Sequence, residues 1–379
     1  MKSLIFGITG QDGSYLAELL LSKGHQVFGA ARRTSTPSTQ RIDHILPQIS
    51  LLRCDITDYC SVDRILQQCR PDWIFNLAAQ SHVGTSFNEP YTSIDITGKG
   101  CLNILECMCS WCPESRFYQA SSSEMFGSEY SVEPVGKIVG QTKNGQIIYE
   151  KANGTLSITE HMDDIKFQDE YTPFSPCSPY AIAKVMAYNF ALLYRRAYGL
   201  DTRTGILFNH ESERRGEEFV TRKITRYIGE LNKYLQACGQ YTMRPGETIV
   251  ECIRRVVKEE VAVVQEAPKL HLGNLLSSRD WGHAEDYVRA MYLIMESDEN
   301  DDYVVATGET HTTQEFLIEA FSLIDIYDYT PFVIYDNSLC RPVDVPFLCG
   351  RATKIKESLG WEPTINFKQL VKRMVEADL

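Results

Sequence analysis

Lys2-Ser-Leu-Ile-Phe-Gly-Ile-Thr-Gly-Gln-Asp-Gly13 is an apolar run that breaks into glycines at positions 7, 10 and 13. Lys2 to Ile8 has the β-branched and apolar content of a strand. An amphipathic helix is predicted from about Ser14 to Lys23, Gly24 ends it, and Gln26 to Ala30 reads as a second strand. Strand, glycine turn, helix, strand is the setting in which a glycine fingerprint carries meaning. Gly7 and Gly10 allow a tight turn and a close approach of backbone to a pyrophosphate, which can sit on the helix N-terminus. Gly7, Thr9, Gly10, Gln11, Asp12 and Gly13 are therefore candidate dinucleotide contacts.

The second strand runs into Ala31-Arg-Arg-Thr-Ser35. A fold that takes NAD usually has an acidic residue here for the ribose 2′-hydroxyl. Guanidinium groups suit a 2′-phosphate in charge and geometry, so Arg32 points to NADP. Leu51 to Cys54 is a third strand, followed by Asp55-Ile56, which can lie beside the adenine. Trp73 to Leu77 is a fourth, ending in Ala78-Ala79-Gln80-Ser81-His82. Small residues at that end let a cofactor pass close over the sheet, which makes Leu77, Ala78, Ala79 and Ser81 candidate contacts. His82 has no evident nucleophile beside it and reads as structural or as lining a sugar pocket.

Further strands are expected at Arg116 to Ala120, Thr202 to Leu207 and Tyr303 to Ala306, with helices at Cys101 to Trp111, from Ser178-Pro179 to Tyr198, from Phe219 to about Gln236, and from Thr313 and Phe367. Leu270 to Asn274 is strand-like. Two polar excursions interrupt the alternation, at about 128–171 and 239–268. In the first, Gln146 to Glu150 and Thr155 to Thr159 predict a hairpin near Asn144-Gly145 and Asn153-Gly154. In the second, Glu251 to Val264 predicts a charged helix. Strands alternating with helices predict an α/β fold, a Rossmann-like doubly wound parallel sheet. Residues 1–200 would be mainly the dinucleotide-binding domain, and 201–379 mainly a smaller α/β substrate-binding cap interleaved with it.

Tyr180 and Lys184 in Tyr180-Ala-Ile-Ala-Lys184 fall one turn apart on one helix face. An ammonium beside a phenol favours the phenolate, lowering a reference pKa of about 10 towards that of a useful base. Ala120-Ser-Ser-Ser-Glu-Met-Phe-Gly127 brings a hydroxyl, Ser122, and a carboxylate, Glu124, to the end of a strand. These residues supply a base, a hydrogen-bonding partner and a second acid/base.

The net charge of −12 argues against nucleic acid or an anionic membrane as partner. The absence of a long apolar run or signal peptide leads to the expectation of a soluble, cytoplasmic protein. The 12 cysteines are irregularly spaced. Cys107, Cys109 and Cys112 fall on an apolar helix without paired ligand spacing, which favours buried thiols over a zinc site.

GITGQDGSYLAELLL, ARRTS, NLAAQSHV, YQASSSEMFG, SPYAIAK, FNHESERRGEEFVTRKI, LGNLLSSRDWGHAEDYV and LGWEP together resemble the GDP-mannose 4,6-dehydratase family of extended short-chain dehydrogenases. The resemblance implies that Tyr180, assisted by Lys184, takes the proton of a sugar 4-hydroxyl while hydride leaves C4 for NADP. Glu124 then takes the C5 proton, water leaves C6 with help from Glu124 and Ser122, and hydride returns to C6. It adds Tyr91, His210 and Arg215 as cofactor contacts. It gives Ser81, Asn209, Glu211, Val220, Lys223, Arg279, Arg341 and Asp344 as contacts of a GDP-sugar. The Arg32 to Ser35 loop of relatives reaches a neighbouring subunit, implying a homodimer or homotetramer.

The chain departs from the pattern at Ser122, where Thr is usual, at Glu213, where Pro is usual, and at Leu276 and Ser278. Both excursions lengthen the chain after pocket-lining elements, by roughly thirty and twenty-five residues against ordinary loop lengths. A 4,6-dehydratase of another GDP-sugar, such as a GDP-heptose, is thus an alternative substrate reading. An epimerase or reductase would normally lack the acid at Glu124. A non-catalytic nucleotide-sugar sensor would be marked by loss of Tyr180, Lys184 or Glu124, and all three are present.

Overall fold

A computed structural model of the chain describes residues 1–35, 38–133, 136–142, 147–151, 155–159, 164–242, 244, 246–248, 251–252, 254–255 and 261–379. Its centre is a 7-stranded sheet of β1 (Lys2–Phe6), β2 (Gln26–Ala31), β3 (Ser50–Arg53), β4 (Trp73–Asn76), β5 (Arg116–Ser122), β6 (Asp201–Leu207) and β7 (Asp302–Val305). The spatial order is β7-β6-β5-β4-β1-β2-β3, and every neighbouring pair is parallel. Order reverses between β1 and β4, which opens a crevice beyond the strands' C-terminal ends.

A parallel sheet is covered on both faces, so its strands are apolar on both. On one face, Leu16 and Leu20 of α1 (Gln11–Ser22) and Tyr287 and Met291 of α6 (Ala284–Glu296) pack with Ile5, Phe75 and Tyr118. On the other, Leu66 of α2 (Tyr59–Cys69), Ile104 and Met108 of α3 (Gly100–Trp111) and Ala187 of α4 (Pro179–Tyr198) meet Leu4, Ile74 and Phe117. Burial of each large side chain contributes about 1.5–3 kcal/mol, which holds the two helical layers to the sheet. A separate cluster joins Ile228 and Leu231 of α5 (Val220–Thr242), Phe316 of α7 (Thr313–Ser322), Val371 and Met374 of α8 (Phe367–Glu376), and Trp281.

Several boundaries move from their expected places. Helix α1 begins at Gln11, three residues early, because Gly10 takes the N-cap position with extended backbone. Strand β5 runs on to Ser122, pairing with Leu207 of β6. The expected hairpin is part of a three-stranded antiparallel sheet of Gly136–Gln141, Ile147–Lys151 and Leu156–Thr159. Gln146, Asn144-Gly145 and Asn153-Gly154 lie outside the described residues. Of the expected helix Glu251 to Val264, residues 253 and 256–260 lie outside them, and Val261–Glu266 is helical. Gln168 anchors the first excursion at its root. Its N–H donates to the Cys349 carbonyl at 2.9 Å, and its own carbonyl accepts from Arg351 N–H at 2.8 Å. Among the described residues no helix is long and apolar enough to cross a membrane.

Candidate active site

The glycine turn is built for a close neighbour. Gly7 has φ +88°, and a Cβ there would lie 3.0 Å from Leu77 C and Ala78 N. A Cβ on Gly13 would lie 2.3 Å from the Gly7 carbonyl oxygen. Gly10 caps α1 without a side-chain hydrogen bond to the first-turn amides. Such a bare helix start beside Ala78 fits a pyrophosphate.

Beside it, the ends of β4, β5 and β6 form the floor of a cavity of about 350 Å³. Leu77, Ala79 and Ser81 follow β4, Ala120 to Glu124 end β5, and Leu207 to Glu211 end β6. Helix α4 adds Tyr180 and Lys184. It starts cleanly, since Ser178 accepts from the Ala181 amide at 3.1 Å and Pro179 occupies the first helical turn.

Lys184 Nζ donates to the Ala120 carbonyl at 2.7 Å and stands 5.8 Å from the Tyr180 ring centroid. Burial lowers the Lys184 ammonium to about 8. Tyr180 is pushed up to about 12 by burial, with Glu124 and Asp12 adding to the rise and a hydrogen bond with Ser122 and the Arg215 cation opposing it. The expected lowering of the phenol by Lys184 is therefore not found. Burial penalises phenolate strongly, and the ammonium is engaged with a carbonyl on β5.

Glu124 sits in the short 3₁₀ turn Ser123–Phe126, where its amide donates to Ser122 Oγ at 3.3 Å. It is buried, and its Oε1 lies 3.7 Å from Arg341 Nη1. Arg341 also reaches Asp344 at 3.5 Å. Arg279 holds the same Asp344 oxygen at 3.0 Å and donates to the Val345 carbonyl at 2.7 Å. Asn209, Val220 and Lys223 line the cavity too. Glu211 is nearly fully buried, accepting from Thr221 Oγ1 at 2.7 Å and pairing with Arg215 at 3.0 Å.

Other named residues lie outside this lining. Arg32 is exposed just past β2, and Asp55 is exposed while Ile56 packs into the core. Tyr91 is 85% exposed on the short helix Pro90–Ser93. Gln11 bridges segments, donating to the His210 carbonyl at 3.1 Å and accepting from Ser212 Oγ at 2.8 Å. Thr9 offers its carbonyl to Arg41 at 3.4 Å.

His82, read from the sequence as structural or as lining a sugar pocket, lines the cavity and caps Val83–Asn88, accepting from the Thr85 amide at 3.1 Å. Thr221, His271, Leu272 and Gly273 line it as well. Arg41 donates to the Arg214 carbonyl at 2.7 Å, tying the segment after β2 to the loop after β6. No local spacing signals these contacts, which depend on tertiary topology.

The family profile described as NAD dependent epimerase/dehydratase family matches residues 3–306, and that described as GDP-mannose 4,6 dehydratase matches 239–374. The chain is 41% identical to GDP-mannose 4,6 dehydratase 2 of Arabidopsis thaliana, covering 100% of this chain and 86% of the relative. It is 37% identical to GDP-mannose 4,6 dehydratase of Homo sapiens, covering 100% of this chain and 91% of the relative. Among solved structures, dTDP-glucose 4,6-dehydratase of Bacillus anthracis with NAD superposes with TM-score 0.70 at 18% identity, over 100% of this chain and 96% of that one. RMD of Pseudomonas aeruginosa complexed with NADPH gives TM-score 0.66 at 18% identity, over 99% and 98%. Those two likenesses concern the fold, and it is the full-length sequence relatives that assign the family: the chain belongs to the GDP-mannose 4,6-dehydratases of the NAD dependent epimerase/dehydratase family.

Proposed function

We propose that this chain is an NADP-dependent 4,6-dehydratase that converts GDP-mannose to GDP-4-keto-6-deoxymannose. The reading is supported by one observation above all. A carboxylate, Glu124, shares a cavity with a phenol, Tyr180, and its hydroxyl partner Ser122. A simple alcohol dehydrogenation needs the phenol and the hydroxyl, whereas elimination of water needs a second acid/base.

Tyr180 accepts the proton of the 4-hydroxyl as C4 is oxidised. The 4-keto group acidifies the C5–H, Glu124 removes that proton, and the C6 hydroxyl leaves as water with a proton from Glu124, assisted by Ser122. When bound, the oxidised dinucleotide supplies a hydride acceptor at C4, a cationic ring that favours phenolate, and return of the hydride to C6. C5 is reprotonated, balanced by release of the proton that Tyr180 took from the 4-hydroxyl, so cofactor and side chains end each turnover as they began. Gly7, Gly10 and the first turn of α1 would hold the pyrophosphate, and Arg32 the 2′-phosphate. Lys223, Arg279 and Arg341 offer cationic charge for the substrate diphosphate. A homodimeric or homotetrameric, cytoplasmic enzyme belongs to the same reading.

Mass spectrometry of GDP-mannose incubated with the protein and catalytic NADP tests it. The expected product has lost one water, with no growth of NADPH absorbance. Intact GDP-mannose, with the protein folded and NADP bound, would overturn GDP-mannose as the substrate.

A further inference from the structure

His210 has an arrangement that only one protonation state satisfies. Its Nδ1 is 2.7 Å from the Phe208 carbonyl oxygen, and its Nε2 is 2.8 Å from Asp12 Oδ2. A carbonyl and a carboxylate only accept, so both ring nitrogens must donate. That is the imidazolium. The ring also stacks on Tyr287, centroids 4.5 Å apart at 21°, and an aromatic face favours a cation.

We infer that His210 is a charged counter-ion whose task is to offset the Asp12 carboxylate in the wall beside Tyr180 and so limit its opposition to ionisation of the phenol. His210 is thus a positioning residue acting through Asp12, and the inference rests on Tyr180 being the base of the proposed reaction.

Asp12 comes from the first turn of α1 and His210 from the segment after β6, and both line the cavity with Tyr180 and Lys184 of α4. Asp12 pushes the Tyr180 phenol up and the Lys184 ammonium up. Arg215 lowers Tyr180 and disfavours a charged His210, but its own charge is partly taken by Glu211 at 3.0 Å. Glu124 adds a further negative influence on the phenol, and Tyr287 faces the ring from α6 without a charge. Of these groups His210 alone bonds Asp12 with a positive charge. It lies in the upward direction from an ordinary imidazole because Asp12 outweighs its burial.

The test has a part independent of turnover. In uniformly ¹⁵N-histidine-labelled protein without added ligand, with His210→Gln used for assignment, the ring should show both nitrogens protonated at pH 7 and at pH 8. A neutral tautomer at pH 7 would overturn the inference. Selective ¹³C-tyrosine labelling, assigned with Tyr180→Phe, then follows ionisation of Tyr180. His210→Gln should move its midpoint upward by about one pH unit, since it leaves Asp12 uncancelled. The double variant Asp12→Asn/His210→Gln should return it to the wild-type position. An unmoved midpoint in the single variant, or a double variant as displaced as the single, would show a purely structural pair and overturn the inference. If wild-type protein fails to dehydrate GDP-mannose, the proposed reaction falls, while the nitrogen spectra still decide the charge of His210.

Discussion

Arg341 Nη1 stands 3.7 Å from Oε1 of Glu124, so the acid/base of the candidate site faces a cation on the loop that also carries Asp344. The contact is longer than a hydrogen bond, which leaves both side chains available to a ligand. Glu124→Gln keeps the shape and removes the proton acceptor. It should retain dinucleotide and GDP-sugar binding while lowering dehydration by roughly 10²–10⁴-fold. Calorimetry for binding and mass spectrometry for water loss separate the two effects. An undiminished rate would remove Glu124 from the reaction.

Arg341→Met tests the other half of that pair. Arg279 is nearly fully buried and fixed by the Val345 carbonyl and Asp344, whereas Arg341 is more exposed and, among the described residues, reaches Glu124 and Asp344 by long contacts. Arg341 is therefore the arginine freer to turn to a diphosphate. A charge-assisted hydrogen bond is worth about 1.5–3 kcal/mol, so KM for GDP-mannose should rise by roughly 10–100-fold. The same factor should appear in the Kd of GDP alone. A KM that stays put would confine Arg341 to pairing with Glu124.

Lys184 predicts a pH signature in stability. Its folded-state ammonium titrates near 8, against 10.5 in an exposed lysine. Between those values the unfolded chain binds more protons than the folded one, so this residue's contribution rises with pH across that window. Below pH 8 its burial as a cation is a standing cost. Relative to Lys184→Met, wild-type stability should improve by on the order of 2–3 kcal/mol between pH 7 and pH 10. Urea unfolding of the two proteins over that range measures the difference. A constant gap would mean the ammonium is not held in a low-dielectric site. Tyr180 acts oppositely at higher pH. Its phenol titrates near 12 when folded, so the contribution present below pH 10 is lost as pH rises towards 12.

What could be read from the sequence was local. Gly7, Gly10 and Gly13 declare their turn by spacing, and Tyr180 and Lys184 declare a shared face by a separation of one turn. Partners far along the chain were not legible. Lys184 bonds Ala120, and Asp12 bonds His210, only because the sheet order brings β5, β6 and the start of α1 to one edge. The motif Arg279-Asp-Trp-Gly-His-Ala284 was visible as a family signature, but its reason is tertiary. Asp280 accepts from Thr307 N and Oγ1 at 2.9 and 2.6 Å, and from Gly308 N and Gly350 N at 2.9 and 3.1 Å, pinning the turn after β7 and the backbone at Gly350 to this motif. The cost of burying Tyr180 was also invisible, because it depends on how completely the cavity wall excludes water.

Arg32→Ala bears on the choice between dinucleotides. Strand β2 ends at Ala31, and no acidic side chain follows to accept from a ribose 2′-hydroxyl; Arg32, Arg33, Thr34 and Ser35 come next. Arg32 is exposed at that edge, beyond the cavity that holds Tyr180. If it pairs with a 2′-phosphate, its removal costs one charge-assisted contact, about 1.5–3 kcal/mol, and costs NAD almost nothing. The Kd for NADP should therefore rise roughly 10–100-fold while that for NAD changes little. Fluorescence titration of each dinucleotide against both proteins gives the ratio. Equal losses would mean that Arg32 supports the loop without reading the phosphate, and discrimination would then rest with Arg33 or with residues reached from another subunit.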